Sequence, residues 1–292
     1  MPIMQLALNI LVLAALYALI SCGYVLIYRV SRVLNLAHGE LMMLGAYALY
    51  ATASLFSGHP LLAVAAATLL ALTVGGLVYL LLMRRMTGEA VLAAVLATIA
   101  LGILLRGAMV LTWTAQEQHP LEALGFSSSS IAIGGAKIST VSLILVMTTA
   151  AVYTGLYGFL RYTSWGIRMR AAGQNPLLAA QRGIGLHGIY ALAWGLATFT
   201  GGLAGMLIAC DSALDQTMVV IGLKAFPAAL VGGLDSLPGA LAGALIIATA
   251  EVLLIYYVNP LLSDVVPFLV LLGMLIVRPW GLFGTREELD RV

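Results

Sequence analysis

The sequence has little charge. Of its 292 residues, 9% are charged and 62% are apolar, whereas a soluble domain carries about 25% charged residues. So few charges cannot cover a water-facing surface, which excludes a soluble globular protein. The formal net charge of +2 is also too small to favour nucleic acid as a partner. The composition therefore predicts an all-α, polytopic helix bundle in a lipid bilayer.

Residues that commonly carry chemistry are also scarce. Cys22 and Cys210 form no metal or redox motif, which favours small packing residues. Lys137 and Lys224 are the two lysines, and neither lies in a phosphate-binding GxxxxGK[ST] loop. HExxH motifs and Cys/His clusters are missing, and the serines at 127–130 have no base placed by spacing. We therefore predict no catalytic residue, no metal site and no cofactor, so a partner or an ion gradient would drive uphill transport.

The apolar residues form runs that are long enough to cross a membrane, which takes about 20 residues in a helix. The region 217–277 is broken by prolines and an aspartate, and it has room for three passes or for two passes and a re-entrant segment. We expect about eight or nine passes in all. The other predicted spans are 5–28, 35–55, 61–83, 91–113, 139–160 and 188–210.

The distribution of arginine predicts the orientation, because short cytoplasmic loops are enriched in Lys and Arg. Placing every basic cluster inside leaves the polar loop 114–138, with Glu117 and Glu122, outside. The N-terminus is then outside and the C-terminus inside, which favours nine passes. Eight passes remain possible if the Lys224 region is re-entrant or the N-terminus is inside. The basic clusters are Arg29 with Arg32, Arg84 with Arg85, the segment 161–187, and the tail with Arg278, Arg286 and Arg291.

The segment 161–187 contains four arginines and no acidic residue, and it includes a short helix with clear ends. Asn175 suits the N-cap and Pro176 the first helical position, while Gly183 suits the left-handed residue after the helix. The predicted helix ends at Arg182 and has one apolar face, formed by Leu177, Ala180 and Ile184. Such a helix suits docking on another protein. The alternative is a surface loop that lies on anionic lipid.

Polar residues also lie inside predicted spans. Asn35, His38 and Gly39 would share one helical face at the start of the second span, and Glu40 follows them. Ionisable residues inside spans are costly, and a glycine allows a helix break of the kind that lines translocation pathways. Arg106 could snorkel outward or form an ion pair with Glu40 or Glu251. We interpret these residues as pathway candidates, with an interfacial, structural role as the alternative.

Three stretches together resemble the permeases of branched-chain amino acid ABC transporters. AHGELMMLGAY (37–47) is similar to their second-helix signature, and GIRMRAAGQNPLLAAQRGI (166–184) to their cytoplasmic loop. KAFPAALVGGLDSLPGALAGALI (224–246), followed by RPWGLFG (278–284), is similar to their C-terminal pair. The likeness runs in order over nearly the whole chain. Urea and short-amide permeases have the same type, so the substrate stays open.

The resemblance implies a single permease domain, residues 1–292, in a bacterial inner membrane. This non-catalytic subunit would form half of a pore with a second homologous permease, identical or not. Two cytoplasmic ATPase subunits would bind ATP, and a periplasmic solute-binding protein would deliver the substrate. Leu178 departs from the ABC-permease pattern, which has Glu there, so no salt bridge to the ATPase is assigned to it. The predicted ATPase-coupling residues are Arg168, Arg170, Gly173, Asn175, Pro176, Ala179, Ala180 and Gly183.

The mechanism that this resemblance implies is alternating access, in which the 176–182 helix passes a rigid-body motion to the spans beside it. One rival is a secondary transporter or channel that is driven by ions, with His38 and Glu40 as a proton relay. An intramembrane enzyme is the other, but it needs a nucleophile or metal constellation that the sequence lacks.

Overall fold

The computed structural model describes residues 2–285 and shows an all-α polytopic helix bundle, as predicted. Arg286 and Arg291 of the basic tail lie outside the described residues. A π-helical turn (Tyr79–Met83) joins α3 to α4, and a 3₁₀ turn (Pro260–Leu262) precedes α13. The helices are α1 (Pro2–Ser31), α2 (His38–Leu55), α3 (Pro60–Val78), α4 (Arg84–Met86), α5 (Val91–Trp113), α6 (Pro120–Ala123), α7 (Thr140–Tyr162), α8 (Ser164–Gln174), α9 (Pro176–Gln181), α10 (Leu186–Asp211), α11 (Met218–Gly232), α12 (Leu237–Tyr257) and α13 (Val266–Val277).

Within the described part of the chain, six helical stretches are long and apolar enough to cross a membrane. Helices α11 and α13 are apolar but shorter, at 15 and 12 residues. Helix α2 has 18 residues, but His38 and Glu40 make its first turn polar. The count of eight or nine passes stays a prediction. The six stretches are Ile3–Ser31, Pro60–Met86, Val91–Trp113, Thr140–Tyr162, Leu186–Asp211 and Leu237–Tyr257.

Helix α1 is the centre of the bundle and packs against α7, α10, α11 and α12. The most apolar stretches of α1 and α10 are 72% and 67% buried, whereas those of α3, α5 and α7 are only 22–28% buried. The outer helices therefore turn most of their apolar surface away from the chain itself, as helices in contact with lipid or another subunit do.

Small residues bring the inner helices into close contact. At the crossing of α2 and α10, a Cβ added at Gly45 would overlap the backbone of Gly202. Gly243 on α12 similarly faces the carbonyl of Ala228 on α11. Such small-residue contacts are a usual basis of helix association in membranes.

The predicted basic clusters meet at one end of the bundle. Gly173 on α8 lies directly against the carbonyl of Arg29, which leaves no room for a side chain. The segment after α13 pairs with the end of α11, where Leu282 N–H donates to the Val231 carbonyl at 2.9 Å. Arg32 shares a cavity lining with Pro176 of α9 and with the residues around Arg84 and Arg85. The described members of these clusters therefore lie at one end of the bundle, and the cytoplasmic location of this end stays a prediction.

The opposite end carries the loop 114–138, which has more structure than the sequence pattern indicated. Beyond α6 it contains a two-stranded antiparallel sheet, β1 (Ser130–Ile133) and β2 (Ala136–Ser139). Gly134 and Gly135 form the turn with φ of 55° and 88°, and a Gly-Gly pair between strand-forming residues is a hairpin signal that we missed. Gln5 of α1 pairs with the backbone of Lys137, which fixes the hairpin to the bundle.

Candidate functional site

Helix α9 has the ends that its sequence predicted. The Asn175 side-chain oxygen accepts from Leu178 N–H at 3.0 Å, and Pro176 is the first helical residue. After the helix, Gly183 has φ of 79°. Gly183 N–H donates to the Ala180 carbonyl at 2.9 Å and Ile184 N–H to the Ala179 carbonyl at 3.1 Å. These two bonds form a Schellman motif, so both ends of a helix of only six residues are fixed.

The predicted apolar face of α9 is largely exposed in the structure. Ala179 is buried and Ile184 is half-buried against the core, but Ala180 is exposed. Leu177 and Leu178 are 70% and 57% exposed. That this face docks on another protein stays a prediction, and Leu178, which lies outside the predicted face, is exposed as well. Helix α9 therefore rests on Ala179 and leaves both leucines exposed.

Helix α8 precedes α9 and was not predicted as a separate helix. The Thr163 hydroxyl caps its start by accepting from Gly166 N–H at 3.1 Å. Arg170 donates to the carbonyl of Leu160 on α7, and Gly173 packs on α1. Two of the predicted coupling residues therefore hold α8 to the bundle. Arg168 is exposed instead, with its guanidinium 5.6 Å from the Trp165 ring centre.

The polar residues before and at the start of α2 are enclosed by protein. Asn35 is 1% exposed, and its oxygen accepts from Ala37 N–H at 3.1 Å. His38 is fully buried, with Nε2 3.1 Å from the carbonyl oxygen of Ile20. The prediction that Asn35 shares a helical face with His38 was wrong, since α2 begins at His38. Asn35 Nδ2 and His38 Nδ1 have no hydrogen-bond partner among residues 2–285.

Gly39 permits a close contact rather than a helix break. Helix α2 continues without interruption from its first turn to Leu55. A Cβ added at Gly39 would lie 3.0 Å from the carbonyl oxygen of Val219, and Gly222 faces the Gly39 backbone from the same helix, α11. This glycine therefore lets α2 and α11 touch, and it shows no broken-helix binding site.

Glu40 and Arg106 form an ion pair between α2 and α5. Arg106 Nη2 lies 2.9 Å from Glu40 Oε1, which selects one of the alternatives that the sequence left open. The Glu40 side chain is 10% exposed and that of Arg106 47% exposed. Gly102, one turn before Arg106, leaves space for the carboxylate, because a Cβ there would lie 3.1 Å from Glu40 Oε2. A half-exposed cation therefore lies on an outer, apolar helix.

A second charged cluster joins α1, α11 and α12. Lys224 Nζ lies 2.7 Å from Glu251 Oε1 and 3.2 Å from Asp264 Oδ1. The Tyr17 hydroxyl donates to Glu251 Oε2 at 2.7 Å. The Lys224 and Glu251 side chains are only 11% and 4% exposed, whereas that of Asp264 is 73% exposed. The sequence pattern does not link Lys224 with Glu251 and does not indicate Tyr17 or Asp264, so sequence reasoning missed this cluster.

The chain is similar to known proteins over nearly its whole length. A sequence model of a protein family, described as "Branched-chain amino acid transport system / permease component", matches residues 6–275. The chain is 30% identical over 299 residues to the high-affinity branched-chain amino acid transport system permease protein LivH of Salmonella typhimurium, covering 97% of this chain and 96% of that protein. It is 28% identical over 301 residues to the corresponding protein BraD of Pseudomonas aeruginosa, covering 99% and 98%. A probable LivH of Methanocaldococcus jannaschii is 28% identical over 286 residues, covering 92% and 89%.

Proposed function

Because the chain belongs to the family of branched-chain amino acid transport system permease components, we propose that it is the permease subunit of an ATP-driven importer of branched-chain amino acids. It lies in a bacterial inner membrane with α9 in the cytoplasm. The chain itself is non-catalytic. Two cytoplasmic ATPase subunits bind and hydrolyse ATP, a second homologous permease completes the pore, and a periplasmic binding protein delivers the amino acid.

The observation that carries this proposal is that α9 is a fixed helix with exposed leucines. Its two ends are closed by hydrogen bonds, yet Leu177 and Leu178 are largely exposed at the basic end of the bundle. Exposed apolar side chains on a fixed helix fit a hydrophobic pocket of a partner protein better than they fit water. An ATPase subunit that closes on ATP would therefore bind α9 through these leucines.

The contacts of α8 supply a route from α9 into the membrane. Asn175 is the residue after α8 and the N-cap of α9, so the two helices are directly joined. Helix α8 is bonded to α7 through Arg170 and lies without a gap on α1 at Gly173. A push on α9 is therefore passed as a rigid-body motion to α7 and to the central helix α1.

Arg106 is our candidate for the pathway among the polar residues of the spans. A cation on an apolar outer helix is costly in lipid, and α5 leaves most of its surface uncovered by this chain. We place this face of α5 against the second permease, where the guanidinium can attract a substrate carboxylate. Asn35, His38 and Gly39 instead hold α2 within the subunit, because their contacts are with the Ala37 backbone, α1 and α11.

The contacts do not favour an ion-driven transporter with a His38–Glu40 relay. His38 bonds to the Ile20 carbonyl, and Glu40 pairs with Arg106. Each residue therefore has a partner of its own, and neither contact joins the two. That mechanism also leaves the exposed leucines of α9 without a role.

Gly183→Val tests the coupling role of α9. The φ of Gly183 is 79°, which a β-branched residue resists, so we expect the end of the helix to be lost. ATP-driven leucine uptake into proteoliposomes that contain the complex and its binding protein should fall at least about tenfold, and the ATPase should co-purify poorly. Gly185→Val is the matched control, because Gly185 has φ of −71° and both sites have open space for a Cβ. If the two variants take up leucine at equal rates, α9 is not part of the coupling route. If the wild-type complex takes up leucine without ATP, the proposal of an ATP-driven importer is wrong.

A further inference from the structure

A cavity of about 310 Å³ lies at the basic end of the bundle. Its walls come from the end of α1, the π-helical turn after α3, and the starts of α5 and α10. Pro176, the first residue of α9, completes the wall. We call this space the inner cavity. Its volume is at the lower end of the range of about 300–1,000 Å³ for small-molecule sites, so it suits a small ligand.

The deep part of the inner cavity is aromatic and apolar. Trp194 and Tyr79 are almost fully buried there, and Tyr190 meets Tyr79 edge-on, with 5.8 Å between the ring centres. Tyr79 and Met83 are the buried residues of the π-helical turn, and both line the cavity. Because π-turns frequently occur at functional sites, the turn is a second sign of a binding role. This lining fits an aliphatic side chain.

The lining also contains charges of both signs. Glu89, in the loop before α5, is exposed and lines the inner cavity. Arg32, which follows α1, lies between the inner cavity and a second cavity, and its guanidinium is 5.5 Å from the ring centre of Tyr28 in that second cavity. A guanidinium has five N–H donors, so it can serve more than one acceptor. An α-amino acid with an aliphatic side chain matches all parts of this lining. Its ammonium can face Glu89, its carboxylate can face Arg32, and its side chain can pack on the aromatic wall.

We propose that the inner cavity binds a free aliphatic amino acid from the cytoplasm and that its occupancy slows transport. The inference rests on the proposed function for the side of the membrane and for the chemistry of the transported solute. Pro176 supplies the link to the cycle, because it begins α9. A ligand held between Pro176, the π-turn and the start of α5 resists the movement of α9 that coupling requires. The accumulated product thereby limits its own import.

Binding of radiolabelled leucine to the purified complex of permease and ATPase subunits, without the binding protein, tests the site by equilibrium dialysis. We expect saturable binding that isoleucine displaces and isobutylamine, which lacks a carboxylate, does not. Glu89→Gln should weaken binding by about tenfold, and Met83→Trp should abolish it by filling the cavity. The matched controls are Glu122→Gln, on an exposed loop at the other end, and Met147→Trp, at an exposed position of α7. Absence of saturable binding, or equal binding by all four variants, would overturn the inference.

Transport separates this inference from the proposed function. Proteoliposomes loaded with ATP are compared with and without saturating internal leucine, and each variant is scored against its own rate in leucine-free vesicles. We expect internal leucine to slow wild-type uptake severalfold and to slow Glu89→Gln uptake clearly less, each relative to its own reference. Normal wild-type uptake that internal leucine does not slow defeats only the regulatory inference. Absence of ATP-driven uptake in leucine-free vesicles defeats the proposed function, and the dialysis result then decides whether the cavity binds leucine.

Discussion

Within the described residues 2–285, two ion pairs join apolar helices, and they differ in how far the chain encloses them. Lys224 and Glu251 lie 2.7 Å apart between two inner helices, and Tyr17 bonds to the second carboxylate oxygen. Glu40 and Arg106 lie 2.9 Å apart, but nearly half of the Arg106 side chain is exposed on an outer helix. The first pair therefore has its partners within the subunit. In the second pair, the Arg106 guanidinium is accessible to a group outside the subunit.

This difference in enclosure distinguishes an ion pair that stabilises the fold from one that can serve transport, although the residues look alike in the sequence. A charge enclosed with its partners mainly determines which helices pack together, since removing one partner leaves the other buried and uncompensated. A half-exposed arginine in a span is costly unless another subunit, water or a substrate meets it. We therefore assign Lys224 and Glu251 to the fold, and Arg106 to the pathway and the interface between permeases.

Removing the enclosed cation should have the largest effect on stability. Lys224→Met leaves the Glu251 carboxylate buried without its ion pair, which typically costs about 3–5 kcal/mol. SDS-driven unfolding of the purified chain should show this loss. The double variant Lys224→Met/Glu251→Leu should regain most of it, because no buried charge is left. If the double variant is no more stable than Lys224→Met alone, the loss comes from packing and not from the charge.

The matched change in the second pair should be milder for stability and stronger for transport. Arg106→Met removes the ion pair of Glu40, but nearly half of the Arg106 side chain is exposed, and exposed pairs contribute less than enclosed ones. We therefore expect a loss of about 1–2 kcal/mol in the same unfolding assay. Uptake per folded transporter should nevertheless fall at least about tenfold, since we propose that the guanidinium faces the pathway. If uptake stays near the wild-type rate, Arg106 is only a structural partner of Glu40 and the comparison fails.

The smallest effect is expected at the rim of the enclosed pair. Asp264 is 3.2 Å from Lys224 but mostly exposed, and exposed ion pairs contribute about 0–1 kcal/mol. Asp264→Asn should therefore change the free energy of unfolding by less than about 1 kcal/mol, close to the effect of Glu117→Gln in the outer loop. A loss as large as that of Lys224→Met would show that Asp264 belongs to the enclosed network.

Features that depend on neighbouring residues were predictable from the sequence. The run 91–113 coincides with α5, because a membrane-spanning helix consists of consecutive, mostly apolar residues. The two caps of α9 were predictable as well, because an N-cap asparagine and a C′ glycine act within a few residues. The polar helix α8 contains no apolar run, so the sequence pattern did not indicate it.

Features that depend on which helices become neighbours were not predictable. Tyr17 and Glu251 are 234 residues apart, and no local pattern indicates that α1 and α12 touch. The sequence offered two partners for Arg106, and the packing of α5 on α2 selected Glu40. The burial of His38 follows in the same way from its contacts with α1 and α10.

Photo-crosslinking from α9 tests the central claim most directly. A benzoylphenylalanine is placed at Leu177 in the assembled transporter, and at Leu111 as the control. Both side chains are highly exposed, and Leu111 lies near the end of α5 on the opposite side of the bundle. We predict an adduct between the Leu177 site and the nucleotide-binding subunit, and no such adduct from the Leu111 site. Absence of that adduct in a complex that still imports leucine with ATP would contradict docking on α9, as would equal crosslinking from the two sites.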